Sequence, residues 1–541
     1  MNKTRACYLN LLLLLCCIGL SSWPDELCAQ TFTGPELLVR PTDTSVTVHV
    51  VVDAAREIYL QYGTTSGGYS DETGIFMTTA NEPLNAVIDG LNPNTKYYYR
   101  IGHRAVGGST WSYRDEHTFH TQRPPGSTFT FAITSDSHVN ILLGIASIWQ
   151  QTLSNVANDN PEFLIDLGDT FNVDNIGSAQ GARDGYLFQR SSTYFGGIGH
   201  SIPLYLAIGN HEQEEGWHIS DPTGPVAIWC TNARKRYFPN PIPDDFYSGN
   251  TDTHPDLDGD QLHEDYYAWT WGDALFIVLD PFWYSETKPF TGNIGGGENS
   301  DTGSGDRWDW TLGLTQYNWL RQILENNNSA FKFIFMHHMT GGTQDYIREG
   351  AYAVPFCEWG GYNEDGTTYA FTTRRPGWYK PIHELLIENG VSAVFHGHDH
   401  QYAYEMRDGI VYLSMPSAGF SGNGFNLYSE SNSLTIKVLP SSGHLRVTVS
   451  PSQASVDYVQ TSGGGVAYSY TIDPNEPPIS CPGDFNSDEV VDEEDLSILA
   501  EDLGRTDCSD SDCEADFDPK DNDVDGSDIA KFNDVFGSVC P

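Results

Sequence analysis

The sequence predicts a multidomain protein: an N-terminal β-sandwich, a central α/β domain, and a small, acid-rich, α-helical module at the C-terminus. Three observations lead there. The 541 residues exceed what one ordinary core organises. The hydrophobic rhythm changes twice, from short alternating runs to continuous apolar runs and then to a carboxylate-dense tail. The 53 Gly, 29 Tyr and 13 Trp favour loop-rich, strand-rich structure over a helical bundle. A formal net charge of −45 argues against a broad basic face, so no nucleic-acid-binding surface is expected.

Residues 1–29 read as a signal peptide. Lys3 and Arg5 precede an apolar run from Leu9 to Leu20, and Ala29-Gln30 offers a cleavage point. No later segment reaches the ~20 apolar residues of a membrane helix, so no transmembrane segment is expected after its removal. The expected location is outside the cytoplasm: secreted, extracellular or periplasmic, free or attached at the cell surface. Cys7, Cys16, Cys17 and Cys28 leave with the signal, and the even number that remains suits an oxidising compartment. Cys230 and Cys357 stand alone between the signal and the tail and form a candidate disulfide pair.

Residues 30–122 alternate apolar and polar positions, as in Val46-Thr47-Val48-His49-Val50, with Gly, Asn and Pro turns between the runs. That is the pattern of a small β-sandwich. The stretch from Gly90 through Asn92-Pro93-Asn94 to Tyr97-Tyr98-Tyr99-Arg100 resembles the strand-turn signature of fibronectin type III domains.

Residues 123–473 follow a different grammar. Apolar runs (Phe129 to Ile133, Phe163 to Leu167, Leu204 to Ile208, Ala274 to Leu279, Phe331 to Met336, Val391 to Phe395) alternate with helix-like stretches such as Thr315 to Asn326 and Trp378 to Asn389. Continuous apolar strands separated by helices imply sheets buried on both faces. A motif follows each of five predicted strands: Asp136-Ser137-His138, Gly168-Asp169, Gly209-Asn210-His211-Glu212, His337-His338, and His396-Gly397-His398-Asp399-His400. Ligand sites in such sheets lie at the C-terminal strand ends. Imidazole, carboxylate and amide oxygen together suit divalent zinc, iron or manganese.

The order of these motifs resembles the calcineurin-like metallophosphoesterases, from about Phe129 to Ile472, and with the N-terminal module it is similar to the purple acid phosphatase branch. The resemblance implies an α-β-β-α sandwich holding two divalent transition metal ions. One would bind Asp136, His138, Asp169 and His400; the other would bind Asp169, Asn210, His337 and His398, with Asp169 bridging. It implies a phosphomonoesterase or phosphodiesterase in which a metal-activated hydroxide attacks a small phosphoester and His211 protonates the leaving group. Purple acid phosphatases carry a Tyr three residues after the bridging Asp; Asn172 stands there, so a colourless enzyme is expected. Glu212 and Asp399 are expected to orient imidazoles. His338 and His396 are expected behind the ligands or facing substrate, and Arg374, Arg375, Trp378 and Tyr402 are candidate substrate contacts, with Gly292 to Asp306 as a rim loop. The alternative, a non-catalytic binding or scaffold protein on a decayed fold, should have lost ligands, and none of those expected is missing.

Residues 474–480 form a short Pro-rich linker, and 481–541 a tandem duplication, Cys481 to Cys508 and Cys513 to Cys540. In the first copy Asp484, Asn486, Asp488, Asp492 and Asp495 occupy the alternating oxygen positions of a calcium loop. Asp516, Asp518, Asp521, Asp523, Asp525 and Asp528 recur in the second, with one extra residue near Pro519-Lys520. Asp in place of the closing Glu of an EF-hand resembles the dockerin pattern, which implies bound calcium and a cohesin-like partner. The duplication favours pairing Cys481 with Cys508 and Cys513 with Cys540.

Overall fold

A computed structural model describes residues 32–139, 143–171, 173–220, 224–289, 306–342 and 349–475, and in the tail 483–486, 490–506, 508, 515–516 and 523–538. The signal peptide, Asn172, the 292–305 stretch, residues 476–480, Asp488, Asp518, Asp521, Cys481, Cys513 and Cys540 lie outside the described residues.

The alternating N-terminal runs form two antiparallel sheets. β1 (Leu37–Val39), β2 (Val46–Val51) and β6 (Pro83–Ile88) make one. β3 (Arg56–Gly63), β4 (Asp71–Glu72), β7 (Lys96–Ala105) and β8 (Ser112–Tyr113) make the other, with β5 (Phe76–Met77) on β3 and β9 (His117–His120) on β7. Inward positions of both sheets, including Val46, Val48, Ile58, Leu60, Tyr99 and Ile101, close on one apolar core.

Two larger sheets follow. The first runs β12 (Leu204–Leu206), β11 (Leu164–Asp166), β10 (Phe129–Thr134), β21 (Gly443–Ser450), β22 (Gln453–Gln460), β23 (Val466–Ile472). The second runs β13 (Ser248–Gly249), β14 (Tyr267–Trp271), β15 (Ala274–Val278), β16 (Phe331–Met336), β17 (Ala393–His396), β19 (Ile410–Ser414), β18 (Tyr402–Arg407), β20 (Thr435–Leu439). β10–β11–β12 and β15–β16–β17–β19 are parallel. Successive strand residues point to opposite faces. Phe131, Ile133, Phe276, Phe333, Phe335 and Phe395 therefore fill the space between the sheets. Ala132, Leu164 and Leu204 face helices α1 (Ala146–Asp159), α2 (Ala179–Gln189) and α3 (Val226–Tyr237). Leu275, Ile277, Ile334 and Val394 face α4 (Gly313–Glu325) and the helix Ile382–Glu388. The result is helix, sheet, sheet, helix, with each buried Phe contributing about 1.5–3 kcal/mol.

The expected strands form at nearly the expected places, while the stretch from Trp378 becomes helical only at Ile382, behind Pro381. The disulfide expectation is corrected: Cys230 and Cys357 are free. Cys230 packs behind the first sheet and Cys357 in a separate cluster with Trp308 and Phe371, so neither can reach the other. Cys508 is disulfide-bonded.

The N-terminal sheets are fastened to the central body by Arg190. Its buried guanidinium donates to Tyr237 O at 2.8 Å, Pro35 O at 3.1 Å and His49 O at 3.2 Å, and lies 2.8 Å from His49 Nδ1. In the tail, the helices Glu493–Asp502 and Gly526–Val535 each start at an Asp capping box, Asp492 with Asp495 and Asp525 with Asp528. Phe485 stacks on Phe532 at 5.8 Å in the small core between them.

Candidate metal centre

All five motifs emerge at the C-terminal ends of parallel strands, where the two sheets meet. The chain must turn sharply there, and the backbone is strained to do so. Asp136, His138, Asp169, His398 and His400 have φ of 56°, 47°, 55°, 67° and 55°, the left-handed region that non-glycine residues avoid. Gly209 and Gly397 are required for a second reason. A Cβ on Gly209 would overlap Asp169 Oδ1 and Glu212 Oε2, and one on Gly397 would overlap Ser135 Oγ and His337 Nδ1.

The turns bring together every residue expected as a transition-metal ligand, and all are buried. Asp136, His138, Asp169 and His400 each present one ligating atom within 4.8 Å of the others, as do Asp169, His337 and His398. His400 Nε2 lies 3.2 Å and His138 Nε2 3.5 Å from Asp136 Oδ1. His337 Nε2 lies 3.1 Å from Asp169 Oδ2 and 3.1 Å from Asn210 Oδ1, which also sits 3.1 Å from His398 Nδ1. Asp169 belongs to both groups.

The donor set fits a pair of divalent cations. At bonds of about 2.0–2.2 Å, tetrahedral and octahedral shells place neighbouring ligand atoms about 3.0–3.5 Å apart, the spacing observed. His337 Nδ1–H donates to Leu167 O at 2.9 Å and turns Nε2 towards the cluster. Burial pushes this imidazole down, but the Asp169 and Asp136 charges prevail and raise it to about 9, so the carboxylates around Nε2 favour positive charge there. His138 Nε2 and His400 Nε2 face each other at 2.8 Å, a contact in which at most one nitrogen carries a proton and which a shared cation satisfies. Burial, with the neighbouring His338 and His337, holds the His398 imidazole well below the usual range. Burial pushes the Asp136 carboxyl up, but His400, His138 and His337 outweigh it and hold it well below the usual carboxylate range.

His211 stands at the mouth of the cluster, its Nε2 3.9 Å from Asp169 Oδ2. Its Nδ1–H donates to Asp174 Oδ2 at 2.6 Å. Burial pushes this imidazole down, but the Asp169 charge and the Asp174 hydrogen bond prevail and raise it to about 9. Sequence reasoning missed Asp174; its only signal was a carboxylate in the loop after Asp169.

Of the surrounding residues, Glu212 departs from the expected role, while His338 lies behind the ligands, one of its two expected places. Glu212 orients no imidazole: Oε2 accepts Gly209 N–H at 2.7 Å and Asp169 N–H at 2.8 Å, and Oε1 accepts Thr170 and Phe171 N–H, each at 3.0 Å. Asp399 accepts Glu349 N–H at 3.1 Å and the Tyr428 hydroxyl. His338 is buried with its ring 3.8 Å from that of His398 and 4.2 Å from Trp310. Arg375 donates to Glu358 Oε2 at 3.0 Å and to Trp308 O, so its guanidinium braces the wall rather than facing substrate. Arg374 pairs with Asp306 at 2.8 Å, Trp378 stacks on Tyr317 and Tyr402 on Tyr458. Glu349, which no motif marked, lies against His338.

Residues 129–402, just over half of the chain, match the family model described as calcineurin-like phosphoesterase. Among solved structures, PhoD is similar at 16% identity and TM-score 0.58, covering 82% of this chain and 90% of its own. Purple acid phosphatase PPD1 from yellow lupin (Lupinus luteus) seeds is similar at 15% identity and TM-score 0.54, covering 81% and 74% respectively. At these identities the likeness is one of fold. No curated protein matches the chain.

Proposed function

We propose, from the premise that the chain belongs to the calcineurin-like phosphoesterase family, that it is an exported hydrolase of phosphomonoesters or phosphodiesters. The observation that carries the reading is the convergence of imidazole nitrogens and carboxylates from five strand ends on Asp169. Asp136, His138, Asp169 and His400 would hold one zinc, iron or manganese ion, and Asp169, Asn210, His337 and His398 a second. Such a pair, when bound, supplies Lewis-acid polarisation of the phosphoryl group and a more acidic water. The protein's own contribution is position and protons. Strained turns hold the ligands, Asp174 fixes the His211 ring, and His211 Nε2–H faces the side from which a leaving alkoxide takes its proton. No described helix is long and apolar enough to cross a membrane.

The same reading extends to the ends. The N-terminal sheets are a fibronectin type III-like module, and residues 481–541 a calcium-stabilised, dockerin-like pair of loop-helix repeats with a cohesin-like partner. Asp495 supports the second assignment: Oδ1 accepts Phe485 and Asn486 N–H at 2.6 and 3.1 Å and Oδ2 accepts Asp492 N–H at 2.9 Å, drawing the loop around its carboxylates.

The test is metal analysis with p-nitrophenyl phosphate and its diester. About two transition metal ions per chain and turnover of one ester are expected. Asp169→Ala should empty the site, whereas His211→Ala should keep its metal and lose rate by about 10²–10⁴-fold. A metal-replete protein inert towards every phosphoester would end the hydrolase reading.

A further inference from the structure

Behind the second ligand group lies a cluster that the reaction above does not use. His338, Glu349 and His396 are all fully buried, and they meet on one carboxylate. Glu349 Oε1 contacts His338 Nδ1, and Oε2 lies 3.3 Å from His396 Nδ1 and accepts Met339 N–H at 2.7 Å. The backbone N–H of Glu349 is itself tied to Asp399 Oδ2. Glu349 is thus clamped between the two strand ends that carry His337 and His398.

His398 looks both ways. Its Nδ1 faces Asn210 Oδ1 at 3.1 Å, inside the ligand cluster. Its Nε2, on the opposite edge of the ring, is buried with no hydrogen-bond partner among the described residues. A ring nitrogen of His398 lies within 4.8 Å of both Glu349 and His338 ligating atoms. An imidazole that coordinates through Nδ1 carries its proton on Nε2, and a buried N–H without an acceptor costs about 1–3 kcal/mol. A carboxylate beside it relieves that cost, fixes the tautomer and makes the ligating nitrogen more basic.

We propose that Glu349 is a positioning residue for the second cation: it accepts the Nε2 proton of His398 and so holds that ring, correctly protonated, against the metal. His338 packs over the His398 ring, with centroids 3.8 Å apart, and contacts the same carboxylate. His338, Glu349 and His398 also each present one ligating atom within 4.8 Å of the others, so a third ion is the alternative occupant of this cluster.

This inference rests on the two-metal reading, and the experiment separates them. Wild type, Glu349→Gln and Glu349→Asp are stripped of metal and checked for folding by circular dichroism and melting. They are then titrated with Co²⁺ or Zn²⁺ against a chelator, with the visible spectrum of the Co²⁺ forms recorded. Wild type should bind two ions. Glu349→Gln should keep the first affinity, weaken the second about 10–100-fold and alter the Co²⁺ spectrum of that site. Glu349→Asp, which keeps the charge but withdraws it by one methylene, should fall between and covers the case in which Gln prevents folding. Fewer than two ions in wild type would overturn the two-metal reading. Two ions in wild type with unchanged second affinity and spectrum in the folded variants would overturn the role of Glu349 alone. Three ions in wild type would make these groups ligands and overturn it as well.

Discussion

Glu212 offers the sharpest test of how the site is built, because its carboxyl group gathers four N–H groups from two of the turns that meet at the cluster. It accepts N–H groups from Gly209 at 2.7 Å, Asp169 at 2.8 Å, and Thr170 and Phe171 at 3.0 Å. The Asp169 turn and the Asn210 turn are therefore joined by a side chain that is 1% exposed, beside the direct bond from His211 N–H to Asp169 Oδ1 at 2.8 Å. In Glu212→Gln one oxygen becomes an NH₂ group that faces N–H donors, so two of the four bonds are lost. Burial and the Asp169 charge push this carboxyl up to about 8, so the loss is that of buried N–H groups left unpaired, about 1–3 kcal/mol each, which gives about 2–6 kcal/mol in the central domain. That is a large share of the roughly 5–15 kcal/mol that holds an ordinary domain together. Glu212→Ala strands all four donors and is expected not to fold. The assay is urea unfolding of the metal-free protein followed through the buried Trp269 and Trp271, then metal titration of the folded fraction. Glu212→Gln should unfold at markedly lower urea and bind both ions more weakly, since Asp169 serves both. A variant with wild-type midpoint and wild-type metal affinity would refute the strut.

Three further outcomes are expected. Asp174→Asn should leave metal content unchanged and lower the rate; because Asp174 helps raise His211 to about 9, the alkaline limb of the pH–rate profile should move to lower pH. The isolated tail should lose helical circular dichroism and melt earlier when calcium is chelated, with stabilisation growing as calcium exceeds its Kd; identical spectra in both conditions would leave only a solvated acidic segment. At the seam with the N-terminal sheets, His200 stacks on His117 at 3.8 Å beside Glu36 and Arg114, and burial and the His117 charge lower His200 to about 4. Its folded pKa lies below the unfolded value near 6.5, so the unfolded chain takes up the proton first, and the stability it contributes is complete above about pH 6.5 and lost as pH falls towards 4. The apparent melting temperature should therefore drop from pH 7.5 to pH 5 more in wild type than in His200→Asn.

What the sequence determined by itself was local. Continuous apolar runs announced strands buried on both faces, and the turns after them carried the Asp and His residues that the fold gathers around Asp169, because such side chains stand together at strand ends. The paired Asp residues heading the tail helices stood in the sequence as calcium-loop positions, and their capping boxes came from the structure. The antiparallel extension β21 to β23 was within reach, since its runs alternate visibly, but its place beside β10 was not. Tertiary structure decided which polar groups far apart in the chain meet. It turned Glu212 from an imidazole partner into a backbone strut, set Asp174 on His211, brought Glu349 behind His398, committed Arg375 to Glu358, and put both sheets between Cys230 and Cys357. A carboxylate's role depends on which donors burial leaves within about 3 Å of it, and that is settled by packing across the sheets rather than by spacing along the chain.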